Sequence, residues 1–177
     1  MTDNASRQSR RAFVAAGVAG GLSMAAGTAS ASTGGRPDVG AAQAGRSWRE
    51  RRNSALVLKA FARQNTGGDI FDILHDDVEW SIVNGRTYTS KADFLAAGSA
   101  PIMDRLATTL VMTIQDLWAD GDTVIIRFYG DATAIDGVEY HNEYCWVWEL
   151  KDSRVIRSHA FLDMGAVQEL IDRVQRP

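Results

Sequence analysis

The chain has 177 residues, of which 45% are hydrophobic and 23% are charged, and its formal net charge at pH 7 is -3. These values are typical of one globular domain with a hydrophobic core, and the weakly acidic balance argues against a nucleic acid partner, which needs a basic surface. The single cysteine, Cys145, excludes an intramolecular disulfide and a cysteine-rich metal site.

Residues 1–31 have the pattern of a secretory signal peptide. Three arginines precede an uncharged, Ala- and Gly-rich run that ends in the small-residue cleavage site Ala29-Ser30-Ala31. The stretch Ser9–Val14 resembles the twin-arginine export motif, and this resemblance implies export of the folded protein to the periplasm or the extracellular space. An uncleaved N-terminal membrane anchor is the alternative. Residues 32–46 are rich in Gly, Ala and Ser and are predicted to form a flexible linker.

The remaining chain, residues 47–177, begins with helix signals. Ser47 and Glu50 are three residues apart and form a capping-box pattern that starts a helix. A spacing of three to four residues predicts the apolar stripe of this helix. The stripe consists of Val57, Leu58, Phe61 and Ala62.

Two further helices are predicted before the main sheet. Asp69 can cap a short second helix, and Ser90 can cap a third. Gly98 and Pro101 are expected to limit the third helix, because both residue types are unfavourable inside a helix. A short strand over residues 78–83 is predicted between these two helices.

From about residue 106 the apolar residues recur with period two, which indicates strands. Turn signals at Asp120-Gly121, Asp136-Gly137 and Lys151-Asp152-Ser153 separate four strands. The first of these strands is predicted to carry Leu110, Met112, Ile114 and Trp118 on one face. A helix over residues 165–174 closes the chain. This order predicts an α+β fold, in which a curved antiparallel sheet packs against three N-terminal helices and forms a cone with an internal pocket.

One predicted strand carries an aromatic face that contains a single amide. Successive side chains of a strand point to opposite faces, so one face of the segment YHNEYCWVWEL carries four aromatic residues and Asn142. The aromatic members are Tyr140, Tyr144, Trp146 and Trp148. Asn142 is predicted to be either a polar contact for a ligand or a residue that hydrogen bonds to a neighbouring strand or to Asp163.

The order of elements resembles the nuclear transport factor 2-like superfamily, and in particular its SnoaL-like and ketosteroid-isomerase-related branch. Three segments carry the resemblance over residues 47–174: GGDIFDILHDDVEW, NGRTYTSKADF and YHNEYCWVWELKDSRVIRSHAFLD. The resemblance implies a cone-shaped domain that binds a small molecule and forms a homodimer through its sheet. It leaves the activity open, because this fold includes isomerases, cyclases, epoxide hydrolases and non-catalytic binding domains.

The family's catalytic positions are only partly filled. Alignment with ketosteroid isomerases places Ile82 at the base position and Phe61 at the tyrosine position, so that chemistry is not expected. The Asp-Arg-Asp arrangement of epoxide hydrolases is not supported, because Arg127 is predicted on the outer face of its strand. The aspartate of SnoaL-type cyclases corresponds to Asp163, which is the predicted catalytic acid/base. Its alternative role is to cap the last helix.

Five residues are predicted to contact the substrate: Asn142, Tyr144, Trp80, Trp146 and His159. Asn142 and Tyr144 would orient it and the tryptophans would shape an apolar pocket, although tryptophans of this kind are also common in a plain core. No metal or cofactor is expected, because His141, Glu143 and His159 lack a metal-ligand spacing. The sequence therefore predicts an exported domain for a small hydrophobic organic molecule, either as a cofactor-free acid/base enzyme or as a non-catalytic binding or interaction module.

Overall fold

The computed structural model describes residues 47–176, so the predicted signal peptide and linker lie outside the described residues. The helical elements are α1 (Trp48–Asn65), a 3₁₀ turn (Ile70–Ile73), α2 (Lys91–Phe94), a π-helical stretch (Leu95–Ser99), α3 (Ala100–Met103) and α4 (Met164–Arg173). The strands are β1 (Leu74–Ile82), β2 (Thr87–Tyr88), β3 (Val111–Asp120), β4 (Thr123–Thr133), β5 (Glu139–Lys151) and β6 (Arg154–Leu162). No helix among residues 47–176 is both long enough and apolar enough to cross a membrane.

Helix α1 starts at the predicted capping box. The backbone N–H of Glu50 donates to the Ser47 hydroxyl, and the Ser47 N–H donates to the Glu50 carboxylate at 2.7 Å. The predicted apolar stripe is only half correct: Val57 and Phe61 are buried, whereas Leu58 and Ala62 are exposed. The helix packs on the sheet with the face that includes the buried polar residues Asn53 and Gln64, which shifts its contact stripe away from Leu58 and Ala62.

The third helix extends beyond the predicted limit at Gly98 and Pro101. After α2 the chain continues through the π-helical stretch into α3. Pro101 lies in the first turn of α3, and the carbonyl of Ala97, four residues earlier, accepts from the Tyr88 hydroxyl at 3.1 Å in place of the missing N–H. Gly98 is required by a close approach, since a Cβ there would lie 2.7 Å from Cδ2 of Phe94. Both residues therefore accommodate a change of helix type and do not end the helical run.

The six strands form one sheet in the order β2-β1-β6-β5-β4-β3. All neighbouring pairs are antiparallel except β1 and β6, which are parallel. This architecture confirms the predicted α+β class, with a curved sheet and helices packed against it. Strand β1 begins at Leu74, earlier than the predicted residue 78.

A bulge in β3 changes the face on which its last residues lie. The pairing with β4 shifts between Ile114 and Asp116, so that Leu117 pairs with the buried Ile126 and Trp118 pairs with Ile125. Trp118 is 50% exposed, and the prediction that it shares a face with the buried Leu110 and Met112 is wrong. The reason is physical: an extra residue on one strand reverses the inside–outside alternation beyond it.

The core lies between the inner face of the sheet and the helices, and Trp146 is at its centre. The Trp146 ring centroid is 4.6 Å from that of Phe128, 5.1 Å from Trp80 and 5.2 Å from Trp148. These contacts join β4, β5 and β1 through aromatic pairs, each of which adds about 0.5–1.5 kcal/mol beyond burial. The aromatic face predicted for β5 therefore points into the core.

The end of the chain is held against α3 by the buried Arg105. Its Nε donates to the carbonyl of Val174, and one terminal nitrogen donates to the carbonyl of Pro101, both at 2.7 Å. Arg176 adds an ion pair with Asp104 at the surface. A buried guanidinium keeps its charge and needs several acceptors, so Arg105 fixes the segment after α3 to the segment after α4.

Candidate functional site

A small cavity lies among the aromatic side chains of the core. Its volume is about 50 Å³, and its wall is mainly aromatic and aliphatic. The side chains that define it include Phe71, Trp80, Phe94, Met103, Tyr144 and Trp146. Ser99 and Tyr144 are the lining residues that carry a hydroxyl group. A space of this kind suits an apolar group with one or two polar atoms.

The cavity is small for an organic ligand. Pockets for drug-sized molecules have volumes of about 300–1,000 Å³, whereas 50 Å³ is enough for only a few atoms. A more open groove of about 330 Å³ lies beside it and shares the side chains of Phe71, Ser99 and Met103. A ligand larger than a few atoms must therefore move these three side chains or extend past them into the groove.

Three predicted substrate contacts, Trp80, Tyr144 and Trp146, line the cavity. Trp80 belongs to β1, whereas Tyr144 and Trp146 are alternate residues of β5 and share its inner face. Their side chains are also part of the hydrophobic core. Their position fits the predicted role, and contact with a substrate remains a prediction.

Asn142 is a buried structural residue beside the cavity. Only 1% of it is exposed, and its amide is bonded at both ends to the backbone of Asp163. The Asn142 oxygen accepts from the Asp163 N–H, and the Asn142 nitrogen donates to the Asp163 carbonyl, each at 3.0 Å. The same nitrogen donates to the hydroxyl of Tyr140 at 3.0 Å. The amide among the aromatics thus joins β5 to the start of α4, which is the second of its two predicted roles.

The hydroxyls of Tyr140 and Tyr144 form a buried pair on the inner side of β5. Their oxygens are 2.9 Å apart, and the Tyr144 ring stacks on Phe128 with a centroid distance of 4.8 Å. Burial raises the pKa of Tyr144 well above its ordinary value, and the neighbouring Tyr140 raises it further. Burial also raises the pKa of Tyr140. Both groups are therefore neutral hydrogen-bond donors at physiological pH.

Asp163 caps α4 and lies outside the cavity wall. Its carboxylate accepts from the N–H groups of Gly165 at 2.8 Å and of Ala166 at 3.4 Å, and the residue is exposed. Capping of the last helix is the alternative role predicted for Asp163. The preceding residue, Leu162, does line the cavity. The arrangement favours a structural cap, and an acid/base role for Asp163 remains a prediction.

Residues 55–158 match the SnoaL-like domain family, and this match covers more than half of the chain. The chain belongs to this family. The SnoaL-like fold commonly binds small molecules. No curated protein matches the sequence.

Three solved structures are similar to this SnoaL-like domain in fold. A candidate SnoaL-like polyketide cyclase from Jannaschia sp. CCS1 has a TM-score of 0.60 and 17% identity, and the alignment covers 73% of this chain and 98% of that one. Bal32a, from a soil-derived mobile gene cassette, has a TM-score of 0.57 and 19% identity, and the alignment covers 69% of this chain and 98% of Bal32a. TerC, co-crystallised with polyporic acid, has a TM-score of 0.54 and 22% identity, and the alignment covers 68% of this chain and 98% of TerC. At these identities the likeness concerns the fold alone.

His159 of the SnoaL-like domain is on the wrong face for a ligand in the cavity. It pairs with Val147 and Ser81 on the outer face of the sheet, and it is exposed. His159 does not line the cavity, since its neighbour Ala160 occupies the inner face, and its contact with a substrate remains a prediction that this position does not favour. Arg127 is also on the outer face, as predicted, and it forms ion pairs with Asp116 and Glu143.

Sequence reasoning missed several residues of the cavity, because most of them come from the helical segments. Ser99 and Met103 follow from a π-helical stretch that no local pattern predicts, and Phe71 and Phe94 look like ordinary core residues. Ala160 could not have been found by alternation from the buried Val155, because the two are five residues apart and a register shift between Glu149 and Leu150 changes the face of β6 in between. Among residues 47–176 there is no group of three His, Cys, Asp or Glu side chains that could hold a metal ion.

The hydroxyl pair predicts different stabilities for two conservative variants. The pair carries two protons but shares one hydrogen bond, and neither hydroxyl donates to another group of residues 47–176. Tyr144→Phe leaves one unsatisfied hydroxyl proton, as in the wild type, so we expect a change in unfolding free energy below about 1 kcal/mol. Tyr140→Phe leaves both the Tyr144 hydroxyl and one Asn142 N–H without an acceptor, so we expect a loss of about 1–3 kcal/mol. Urea denaturation measures both values.

Tyr129→Phe is the matched control for these variants, because Tyr129 lies on the outer face and pairs with Glu143. Its hydroxyl bonds to the half-exposed Arg127 at the surface. We therefore expect the loss of unfolding free energy in Tyr129→Phe to be below about 0.5 kcal/mol. Equal losses in Tyr140→Phe and Tyr144→Phe would show that the assigned hydrogen-bond pattern is incorrect.

Proposed function

We propose that this SnoaL-like domain binds a small, largely hydrophobic organic molecule in the cavity between Trp80 and Trp146. The observation that carries the proposal is the cavity wall, in which aromatic and aliphatic side chains surround an almost entirely apolar space. The SnoaL-like fold supports it, and so does TerC, a solved protein of similar fold that was co-crystallised with polyporic acid. Binding requires no metal or organic cofactor.

Filling the cavity tests this proposal. Ala160 is 2% exposed and lines the cavity, so Ala160→Val adds two methyl groups to the space that a ligand would occupy. We expect at least a tenfold weaker affinity for acetophenone, a small aromatic probe. The affinity is measured by NMR titration of the indole N–H signals of Trp80 and Trp146.

The exposed Ala62 of α1 provides the control, because Ala62→Val makes the same change far from the cavity. Its affinity should equal that of the wild type. Unchanged affinity in Ala160→Val, with the fold intact, would place the probe elsewhere and contradict the proposal.

Catalysis by Asp163 is a second hypothesis. Two contacts support it: Leu162 lines the cavity directly before Asp163, and Asn142 holds the Asp163 backbone. In this hypothesis the carboxylate leaves its cap and exchanges a proton with a ligand during an isomerase, cyclase or hydrolase type of reaction. The cap geometry favours instead a domain that binds its ligand without chemistry.

Asp163→Asn separates the two hypotheses. Asparagine is as good an N-cap as aspartate, so the unfolding free energy should change by less than about 0.5 kcal/mol, whereas a carboxamide cannot exchange protons. Once a substrate is identified, by mass spectrometry of the natively purified protein, turnover should disappear if Asp163 is catalytic. Full turnover in Asp163→Asn would end the catalytic hypothesis.

We also propose a homodimer through the outer face of the sheet. An apolar strip crosses four strands there, formed by Trp118, Ile125, Val147 and Phe161. Ion pairs of Arg127 and Arg157 with acidic neighbours lie on the two sides of this strip. A strip with charges of both signs beside it can contact its own copy across a two-fold axis.

Trp118→Glu tests the dimer, because it places a charge in the middle of an apolar interface. We expect its dissociation constant to rise at least tenfold in sedimentation velocity experiments. Trp48→Glu is the control, since Trp48 is 68% exposed on α1, away from the outer strip. A monomeric wild type, or an unchanged association of Trp118→Glu, would contradict the assignment of this face.

We also propose that the protein is exported, on the basis of its N-terminal pattern. The basic residues, the uncharged run and the site Ala29-Ser30-Ala31 support export through the twin-arginine pathway and release from the membrane after cleavage. A domain with one cysteine needs no disulfide, which agrees with folding before export. Fractionation of cells that express the full chain, followed by N-terminal sequencing of the exported protein, measures the location and the cleavage site.

A further inference from the structure

Helix α1 carries an excess of positive charge that the rest of the domain lacks. It contains five basic residues and one acidic residue, whereas residues 66–177 contain nine basic and nineteen acidic residues. A basic element on an otherwise acidic domain concentrates a positive potential on one part of the surface, which attracts an anionic partner. This charge is separate from the cavity, because none of the five basic residues lines it.

Most of this charge lies on the side of α1 that points away from the sheet. The residues that pack inward include Val57, Phe61 and Gln64. At 3.6 residues per turn, the opposite side of the helix is a line of exposed residues, which we call the basic line: Trp48, Arg52, Ala55, Lys59 and Ala62. Because Phe61 packs α1 against the inner side of the sheet, the proposed dimer through the outer side leaves the basic line uncovered.

Two cations of the basic line have no acidic partner among residues 47–176. Lys59 makes no ion pair or hydrogen bond in this part of the chain. Arg52 donates to the neutral hydroxyl of Ser153, and its guanidinium carbon is 5.6 Å from the centroid of the Trp48 ring. The arginines at the two ends of the helix are paired instead, Arg49 with Asp122 and Arg63 with Asp72. The charges of Arg52 and Lys59 are therefore available to a partner.

A groove beside Lys59 extends this positive surface. The charged residues of its wall are Lys59, Arg63, Lys91, Arg154, Asp69, Asp72 and Asp76. Cations thus exceed carboxylates by one in this wall, so its acidic residues do not neutralise the basic line.

Trp48 adds a large amphipathic ring to the same line. It is 68% exposed, more than any other large hydrophobic residue of the described chain. Tryptophan is favoured at the interface between a membrane and water, where its ring contacts lipid while its N–H stays hydrated. A partner that offers only negative charge gains nothing from this ring, so Trp48 beside Arg52 favours a lipid surface.

We propose that the basic line of α1 makes reversible contact with an anionic lipid surface, in which Arg52 and Lys59 lie at the headgroup phosphates and the Trp48 ring lies at the interface. The position of α1 in the chain supports a membrane partner, since only residues 32–47 separate it from the predicted signal segment that ends at Ala31. The contact is electrostatic, so it is compatible with cleavage of that segment. It goes beyond the proposed function and does not rest on the cavity.

Vesicle sedimentation tests the inference on the protein as cells process it. The vesicles consist of phosphatidylcholine alone, or of phosphatidylcholine and phosphatidylglycerol in equal parts. Each basic residue near an anionic surface strengthens binding by about fivefold. We therefore expect the wild type to prefer the anionic vesicles, Lys59→Gln to bind them about fivefold less tightly, and the binding of both to weaken as salt is added. Lys59 has no partner to lose, so the fold of Lys59→Gln should be intact.

Two controls separate contact through α1 from a general effect of charge. Arg86→Gln removes one positive charge at the turn between β1 and β2, and it should bind like the wild type. Tryptophan fluorescence gives an independent signal, because the emission of Trp48 should shift to shorter wavelength when anionic vesicles are added. Trp48→Phe should lose this shift, whereas Trp118→Phe, on the outer face of the sheet, should keep it. All variants carry the same N-terminus, so differences between them report on the substituted residue.

Several outcomes would overturn the inference. These are a wild type that does not bind anionic vesicles, equal binding of the wild type and Lys59→Gln, and equal losses in Lys59→Gln and Arg86→Gln. Binding to polyglutamate without binding to vesicles would identify an acidic protein as the partner and would also reject the lipid surface. None of these results bears on ligand binding in the cavity, which the acetophenone titration measures separately.

Discussion

The contacts of one aromatic ring, that of Trp146, hold the layers of this domain together. The ring meets partners from α1, the 3₁₀ turn, β1 and β4, in addition to its neighbours on β5. Since β5 is paired on both sides, by β4 and β6, the position of Trp146 is fixed by two ladders of backbone hydrogen bonds. The helices pack against the Trp146 ring, whose position is fixed by the sheet. The cavity is the space that remains between the helices and this ring.

Much of the fold was predictable from the sequence, because many of its elements are set by local patterns. The capping box at Ser47, the Asp-Gly turns and the alternation along β5 are local patterns with a direct physical cause, and each was correct. The exceptions are places where packing overrides a local rule. The bulge after Ile114 moves Trp118 to the outer face, and the helical run passes Gly98 because close packing on Phe94 requires the absence of a side chain.

The candidate site was predictable to a smaller extent, and the reason is geometric. The inner face of β5 could be identified from alternation, which places Tyr144 and Trp146 correctly. The faces of β6 depend on the register shift opposite Glu149 and Leu150, which no local pattern defines, so the side on which His159 lies could not be assigned from the sequence. The contacts of Asn142 with the Asp163 backbone span 21 residues, and no local pattern distinguishes such an amide from one that faces a ligand.

The bonds of Arg105 have a practical consequence for how the protein is handled. Ile102 and Met103 belong to the cavity wall, and Arg105, two residues further on, is tied to the backbone carbonyl of Val174. Val174 is only 3% exposed, so the C-terminal residues act as a brace behind that wall. We expect a purification tag or fusion partner joined after this segment to strain these contacts, while one placed before residue 1 is removed if the predicted signal peptide is cleaved. An internal tag between residues 32 and 46 avoids both problems.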